Sequence, residues 1–291
     1  MDLDTRALRL LVAVADTGSF TAAGTRLGLT QSAVSHAVRG VERQVGAVLF
    51  SRGRTGARPT PAGDRALVHA RQILRQLDLL RAEARIAAAG EVTGVLRVAA
   101  FRTAAAHLLP AALDRLTTRF PGVRPTVSIV PELGRGTAGE AADGRVDLAI
   151  ATYSDRTPPP PGTVHGDLFT EPYLLAHPTG HPRPRSLPLI DWPENCSSHT
   201  AAWWSRQNWL PPATVRVADD GVVLSMVAQG MGMAVLPRLT LTDHPASVTV
   251  VPLDDSPPTR RVVHVTTAAT RDSTAVRELI RELRAAGRAV A

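Results

Sequence analysis

The sequence contains no lysine and a single cysteine, Cys196. All 33 of its basic residues are arginine, against 26 acidic residues in a chain of 291. A lone cysteine excludes an internal disulfide and fits a reducing compartment. A redox role for Cys196 stays open, although a lone thiol lacks the partner that a disulfide switch needs.

Long hydrophobic runs are also absent. No apolar stretch approaches the roughly 20 residues that cross a bilayer, so we expect no membrane partner. The first residues, Met-Asp-Leu-Asp, lack the basic region of a secretory signal, and we therefore expect a cytoplasmic protein. Hydrophobic residues make up 44% of the chain and charged residues 20%, as in ordinary globular proteins. The length favours two or three domains.

The positive charge is concentrated at one end of the chain. Residues 1–90 contain 13 arginines and 7 acidic residues, a net charge of +6, whereas residues 91–291 contain 20 arginines and 19 acidic residues, a net charge of +1. A local excess of this kind predicts a phosphate-binding module in the first third of the chain.

That third contains two short helical patterns, in the stretch SFTAAGTRLGLTQSAVSHAVRGVERQVGAVLF that begins at Ser19. Ser19 and Thr30 are candidate N-caps, and Gly28 releases the backbone for a turn between the two helices. A preceding helix over residues 3–17 should brace this pair. The second helix of the pair repeats valine at spacings of four, three and four, which predicts a buried stripe of Val34, Val38, Val41 and Val45.

The opposite side of the second helix carries flexible hydrogen-bonding side chains and no acid. We predict that these side chains read base edges in the major groove of DNA: Gln31, Ser32, Ser35, His36 and Arg39. Any two packed amphipathic helices give a similar periodicity, so the pattern alone leaves that alternative open.

The residues themselves go further, because this stretch resembles the amino-terminal domain of LysR-type transcriptional regulators. The positions that match the signature of that family are Ser19, Phe20, Ala22, Ala23, Leu27, Thr30, Gln31, Ser32, Val34, Ser35, Val41, Glu42, Leu49, Phe50 and Arg52. The resemblance implies an α/β protein with a helix-rich winged helix-turn-helix DNA-binding domain over residues 1–60 and a linker helix over 61–90 that dimerises.

The resemblance also implies an effector-binding domain over residues 91–291, built of two lobes like those of periplasmic solute-binding proteins. We expect lobe I over about 91–162 with 263–291, and lobe II over about 163–262. The run VAQGMGMAVLP at residues 227–237 matches the family at the junction of the lobes.

Glycines, prolines and arginines follow the helix pair in SRGRTGARPTPAG, a composition that suits a wing. We predict phosphate contacts from hydroxyls at the helix starts and from the arginines of this loop: Ser19, Thr21, Thr30, Arg52, Arg54 and Arg58. A merely solvated loop is the alternative. Pro59 stands where the family has leucine, so the strand that closes the wing is expected to be short or distorted.

The next segment, residues 62–89, has no proline and one glycine, which predicts a long helix. Its apolar residues follow an unbroken heptad pattern of Ala66, Ala70, Ile73, Leu77, Leu80, Ala84 and Ala87. We expect this seam to pair with a second copy of the chain, giving a dimer and further a tetramer that binds an interrupted palindrome in double-stranded DNA. A seam packed on its own domain is less favoured because the neighbouring segments are short.

After Gly90 strand and helix patterns alternate, which argues for a parallel sheet with covering helices. Strands are predicted at 95–101, 125–132 and 146–154, with helices at 107–120 and 137–145. Beyond the prolines of 157–162 we predict a strand pair within 168–178, strands at 188–190 and 215–220, a helix at 220–230, further strands, and a final helix near 273–289.

In open α/β sheets, ligands bind at the carboxyl ends of strands, where hydroxyls and amides face a cleft. Four segments satisfy that geometry, and from them we predict effector contacts from Arg102, Thr103, Thr152, Ser154, Ser198, His199, Thr200 and Asp219. Hydroxyls together with an arginine suit a small anion. Ordinary helix capping is the alternative for each segment.

Other chemistry is weakly supported. His177 and His181 lie among prolines and glycines with no cysteine or acid pair nearby, so no metal site is predicted. No GxSxG, P-loop or GxGxxG occurs, and we expect no cofactor and no enzyme activity. The leading hypothesis is a sequence-specific transcription regulator controlled by a small anionic or aromatic metabolite, with a contact to RNA polymerase left open. The alternative is a cytosolic solute receptor or degenerate enzyme whose α/β half is the active part.

Overall fold

A computed structural model of the chain describes residues 3–53, 56–153, 159–193, 201–217 and 220–290. Its contacts divide the chain into two units. The first comprises Met1–Gly90 with Ala142–Arg145, and the second comprises Glu91–Ala141 with Val146–Ala291.

The first unit consists of helices around a two-stranded sheet. Its elements are α1 (Thr5–Thr17), α2 (Phe20–Leu27), α3 (Gln31–Val45), the antiparallel strands β1 (Phe50–Gly53) and β2 (Gly56–Pro59), and α4 (Pro61–Ala89). Its core joins leucines of α1 to the valines of α3, and the rings of Phe20 and Phe50 meet edge to face at 6.2 Å. The strands number four residues each, and β2 runs through Pro59, so the wing is as short as the sequence predicts.

The second unit is a mixed sheet with helices. Its elements are β3 (Thr93–Ala100), α5 (Arg102–His107), α6 (Leu109–Arg119), β4 (Gly122–Ile129), α7 (Gly136–Ala142), β5 (Leu148–Tyr153), β6 (Thr163–Pro178), β7 (Leu189–Asp191), α8 (Ala201–Trp204), β8 (Ala213–Arg216), α9 (Val223–Ala228), β9 (Ala234–Pro237), β10 (Val248–Pro252), β11 (Thr259–Thr267) and α10 (Thr274–Val290). The strand order is β10-β6-β11-β5-β3-β4 with β9 also on β6, and β7 pairs with β8 in a small sheet.

The prediction of a parallel sheet is right for one part only. Strand β3 pairs in parallel with β4 and β5, whereas β11 pairs antiparallel with β5 and β6. The carboxyl-terminal strand enters the middle of the sheet, where the alternation of strands and helices along the sequence gives no hint of its direction.

The strand pair predicted within 168–178 is wrong, because β6 is one strand of 16 residues. It pairs with β11 as far as Pro172 and with β9 from Tyr173 onward. Pro172 cannot donate a ladder hydrogen bond, and it is tolerated where the strand changes partners. Strand β6 begins at Thr163, directly after the predicted lobe boundary, and the boundaries at 162/163 and 262/263 stay predictions.

The helix predicted at 107–120 is confirmed as α6, Leu109–Arg119, and a separate helix that was not predicted, α5, precedes it directly after β3. The helix predicted at 220–230 is a 3-10 turn, Asp220–Val222, followed by α9. The strand predicted at 215–220 is β8, which begins earlier and ends at Arg216.

Candidate nucleic-acid interface and effector cavity

The turn between α2 and α3 sets the position of the second helix. Gly28 has φ 66°, a conformation that favours glycine, and its amide donates to the carbonyls of Gly24 and Thr25. A Cβ on Gly24 would lie 2.6 Å from the Leu29 carbonyl oxygen. Gly28 is therefore required by its backbone conformation, and Gly24 by the close approach of the turn.

Helix α3 begins at a side-chain cap. The Thr30 hydroxyl accepts a hydrogen bond of 3.2 Å from the Ala33 amide, and the Ser32 hydroxyl lies 3.0 Å from it. The Ser19 hydroxyl caps α2 in the same way. The prediction of these two N-caps is confirmed. Both hydroxyls also remain candidates for phosphate contacts, together with the exposed Thr21.

The two faces of α3 differ as the sequence indicates, with two exceptions. Val34, Val38 and Val41 are buried, whereas the exposed polar residues are Gln31, Ser32, His36 and Arg39. The predicted exposure of Ser35 is wrong, since its exposed fraction is 3%. Ser35 follows Val34 and precedes Val38 by one turn, which puts it on the border of the buried stripe. The predicted burial of Val45 is also wrong, because this last residue of the helix is 44% exposed.

The wing is tied to α3 by a carboxylate. Glu42 Oε1 accepts from the amides of Leu49 at 2.8 Å and Phe50 at 3.2 Å, directly before and at the start of β1. Sequence reasoning gave Glu42 no role beyond its match to the family signature. Arg58 is exposed on β2. Arg54 lies outside the described residues, as does the side chain of Arg52.

The seam of α4 changes character along the helix. Ala70 is buried against the first unit, but Ile73 is 49% exposed and Leu80 is 65% exposed. Ala84 and Ala87 are exposed as well. The carboxyl-terminal half of the seam thus presents an apolar stripe to solvent in the single chain.

The second unit contains a cavity of about 220 Å³. Its lining comes from α5, from the segment leading into α9, and from the turn after β9: Arg102, Thr103, Ala106, His107, Gly221, Leu224, Thr240 and Asp243. Two of the predicted effector residues, Arg102 and Thr103, meet here. The remaining lining residues were not predicted from the sequence. Those around residue 240 are separated from Arg102 by most of the second unit and carry no local motif.

One polar group of the cavity lacks a partner. The Thr240 hydroxyl is buried and has no hydrogen-bond partner among the described residues, and Thr240 is only 9% exposed. Leaving a buried hydroxyl unpaired costs about 1–3 kcal/mol, so such a group in a cavity indicates a position for a ligand or water. On the opposite wall the His107 Nδ1 lies 3.5 Å from Asp243 Oδ2.

A buried ion pair lies beside the cavity. Arg260 Nε donates to Glu171 Oε1 at 2.7 Å, and Glu171 Oε2 accepts from the Leu239 amide at 2.5 Å. The guanidinium of Arg260 also stands 4.9 Å from the centre of the Phe101 ring and 3.5 Å from the Thr103 hydroxyl. The ion pair therefore contacts Thr103 on the α5 wall of the cavity and Leu239 in the turn that forms the other wall.

The hydrogen-bond donors of Thr152 are bound by Glu132 of the same chain. Its amide and hydroxyl donate to Glu132 Oε2 at 2.9 and 3.0 Å, while Thr137 donates through its amide and its hydroxyl to Oε1. The predicted effector contact of Thr152 is not supported, because these donors are already bound and Thr152 does not line the cavity. Five further predicted contacts lie outside the described residues: Ser154, Ser198, His199, Thr200 and Asp219. Cys196 lies outside them too.

Two titratable groups in the sheet have shifted pKa values. Burial, followed by the nearby Arg284 and His165, lowers the pKa of His264 from 6.5 to about 4. Burial and then the charge of Glu132 raise the pKa of Tyr153 to about 12. In the part of the chain that the structure describes, no group of three or more His, Cys, Asp and Glu residues could hold a metal ion. None of the described helices is long and apolar enough to cross a membrane.

Two family profiles match the chain. Residues 5–64 match "Bacterial regulatory helix-turn-helix protein, lysR family", and residues 89–288 match "LysR substrate binding domain". The probable HTH-type transcriptional regulator LrrA of Synechococcus elongatus is 35% identical over 255 residues, which cover 83% of each chain. The relatives are transcription regulators, so the prediction that the chain is not an enzyme is confirmed.

Solved structures share the fold. A full-length OxyR variant from Pseudomonas aeruginosa aligns with a TM-score of 0.74 at 22% identity, over 98% of this chain and 95% of that one. Full-length CbnR complexed with its target DNA aligns with a TM-score of 0.64 at 19% identity, over 98% of this chain and all of the other. This likeness confirms the predicted fold class.

Proposed function

The chain belongs to the LysR-type family of transcriptional regulators, and on this premise we propose a sequence-specific DNA-binding regulator whose action is set by a small-molecule effector. The proposed division is a winged helix-turn-helix domain over 1–60, a linker helix over 61–90 and an effector domain over 91–291. Because its target is chromosomal DNA, we also propose a cytoplasmic location.

The exposed face of α3 is the observation that carries the DNA-reading proposal. Gln31, Ser32, His36 and Arg39 supply donors and acceptors at helical spacing, with no carboxylate to repel phosphates. Arginine pairs with guanine through two hydrogen bonds, which makes Arg39 the strongest candidate for discrimination. Ser35 stays a weaker candidate, since reading a base would require its burial to be relieved.

Phosphate anchoring is proposed for the residues around the reading helix, which are Ser19, Thr21, Thr30, Arg52, Arg54 and Arg58. Hydroxyls at helix starts and arginines on a wing are suited to backbone contacts that fix register without reading sequence. The bonds from Glu42 to the wing would hold Arg58 in a fixed place relative to α3.

The apolar stripe of α4 supports a dimer. Its exposed members, Ile73 and Leu80 above all, would be buried by the same stripe of a second copy, and two reading heads would then bind an interrupted palindrome. Assembly of dimers into a tetramer and a contact with RNA polymerase are extensions of this proposal.

The cavity supports an effector site. It joins a cation to a buried hydroxyl that has no hydrogen-bond partner in the described part of the chain, from segments far apart in the sequence. A ligand there would touch both walls, and it could change the regulator only through its different affinities for two arrangements of the domain.

A gel-shift titration tests DNA reading. DNA from upstream of the protein's own coding region is compared with a random sequence of equal length, for the wild type and for Arg39→Ala. We expect the variant to lose about 1–3 kcal/mol of discrimination. Arg124→Ala, at an exposed arginine of the second unit, is the control and should discriminate like the wild type. Equal binding of both DNAs by the wild type would refute the proposal.

A further inference from the structure

The cavity of the second unit carries both signs of charge. Arg102 opens α5 on one wall, and Asp243 follows the turn Arg238–Leu241 on the other. We propose that this cavity takes a small zwitterion with a short aliphatic side chain, the chemistry of a neutral amino acid. This inference rests on the proposed effector role of the cavity and narrows the ligand class beyond a simple anion or aromatic.

The two charges argue against a ligand of a single sign. A carboxylate drawn to Arg102 would be repelled by Asp243 if it carried a second negative charge toward that wall, and an amine drawn to Asp243 would be repelled by Arg102. A molecule with a carboxylate at one end and an ammonium at the other satisfies both walls. The His107 ring nitrogen lies 3.5 Å from Asp243 Oδ2, so the carboxylate is next to α5 at the cavity.

Two threonine hydroxyls at the cavity could also bind the charged groups of a zwitterion. The buried Thr240 hydroxyl needs a partner, and it can accept from an ammonium or donate to a carboxylate. The Thr103 hydroxyl receives a long hydrogen bond, 3.5 Å, from Arg260. A ligand oxygen within reach of Thr103 would supply a better partner.

Size and apolar lining define the rest of the ligand. A volume of about 220 Å³ lies below the 300–1,000 Å³ typical of pockets for drug-sized molecules. Ala106 and Leu224 supply aliphatic surface, and none of the lining residues that the structure describes is phenylalanine, tyrosine or tryptophan. A side chain of two to four carbons fits these properties better than an aromatic ring.

Three probes separate the charges of the ligand. L-Norvaline carries both, pentanoate lacks the amine, and butylamine lacks the carboxylate. We expect L-norvaline to raise the melting temperature of the full-length protein, since a ligand that binds the native state stabilises it. At equal concentration, butylamine should be at least about tenfold less effective and pentanoate at least about threefold less effective. Equal stabilisation by pentanoate would overturn the zwitterion while supporting an anionic effector in the same cavity. The zwitterion proposal would also be overturned if none of the aliphatic amino acids from alanine to leucine raised the melting temperature.

Variants then locate the site. Arg102→Gln should lower the affinity for L-norvaline about tenfold, as expected for the loss of a charged hydrogen bond. Asp243→Asn should weaken it about threefold to fivefold, because the Asp243 side chain is 82% exposed and its attraction is screened. Arg124→Gln and Asp114→Asn make the same changes at exposed positions outside the cavity lining and should bind like the wild type.

The same titrations keep the two proposals apart. Should L-norvaline bind all variants and the wild type equally, the ligand lies elsewhere, and the cavity loses its effector role along with the zwitterion. The DNA-reading proposal would be unaffected, because the gel shift with Arg39→Ala tests it without a ligand.

Discussion

Arg58 separates anchoring from reading at the scale of a single residue. Its side chain is exposed on β2, opposite Ser51 in the register of the wing. Arg58→Ala should lower the affinity for specific and for random DNA to the same extent. It should also lower the slope of log affinity against log salt concentration by about 1, since one phosphate contact releases about one counterion. The slopes come from gel shifts at 50–200 mM salt. A variant that lost only specific binding would show that Arg58 reads bases instead.

Glu171 is a buried carboxylate whose loss should destabilise the second unit. It is 1% exposed, and its carboxylate is shared between Arg260 and the Leu239 amide. Glu171→Gln keeps the shape but leaves the Arg260 charge buried without a counter-charge, and it should lower the free energy of unfolding by about 3 kcal/mol. Urea denaturation at fixed protein concentration measures this.

Asp167→Asn is the matched control for Glu171→Gln. Asp167 pairs with Arg261 on the same two strands, but this pair is exposed, so the loss should stay below about 1 kcal/mol. Equal losses in the two variants would mean that the buried pair adds nothing beyond a surface pair.

His264 gives the protein a pH dependence of known sign. The unfolded chain protonates this histidine near pH 6.5, whereas the folded chain does so near pH 4 because burial lowers the pKa. Between these values the unfolded state binds more protons, and stability falls as the pH falls, by about 2–3 kcal/mol in total from this group.

Denaturation curves between pH 7.5 and 4 isolate this effect. His264→Gln should remove that part of the acid destabilisation, whatever its effect at pH 7.5. His69→Gln, at an exposed histidine of α4, should keep the wild-type dependence. Identical pH profiles for the wild type and His264→Gln would contradict the burial argument.

Helix α4 is the element that assembles the protein in our proposal. Leu80→Glu would place a carboxylate in the apolar stripe and should weaken the dimer at least tenfold, as charged residues do at such seams. Light scattering over a concentration series measures the change. Gln76→Glu adds the same charge at an exposed position beside the stripe and should leave the dimer intact. A dimer that survives Leu80→Glu must be held by other surfaces.

The elements that could be predicted from sequence are those with local causes. The α2–α3 pair follows from caps at Ser19 and Thr30, a turn glycine at Gly28 and a valine stripe, all within 30 residues. Periodicity failed at the margins of that stripe, where Ser35 is buried and Val45 is not. The strand pair predicted within 168–178 was wrong for a different reason. Pro172 lies inside one continuous strand that pairs with neighbouring strands both before and after it.

The whole molecule decides what local patterns cannot. The direction of β11 and its place between β5 and β6 depend on contacts more than 80 residues apart in sequence. The cavity depends on the same topology, because it brings the segment around Thr240 and Asp243 to Arg102. The sequence indicated two of the eight lining residues that the structure describes, Arg102 and Thr103. The segment around Thr240 and Asp243 has no spacing or motif that could have identified it.

The central place of β11 also fixes an order of events during synthesis. The core of the first unit comes from residues between Leu10 and Leu67, whereas the large sheet of the second unit is incomplete until Thr259–Thr267 has left the ribosome. At about 5–20 residues per second, roughly 10–40 s separate the two moments. Strand β6 ends at Pro178, so the edges of β5 and β6 that β11 will cover stay unpaired for roughly the last 4–18 s of this interval, and unpaired strand edges are sites of aggregation. The residues that form the core of the first unit are therefore all synthesised well before the sheet of the second unit can be completed.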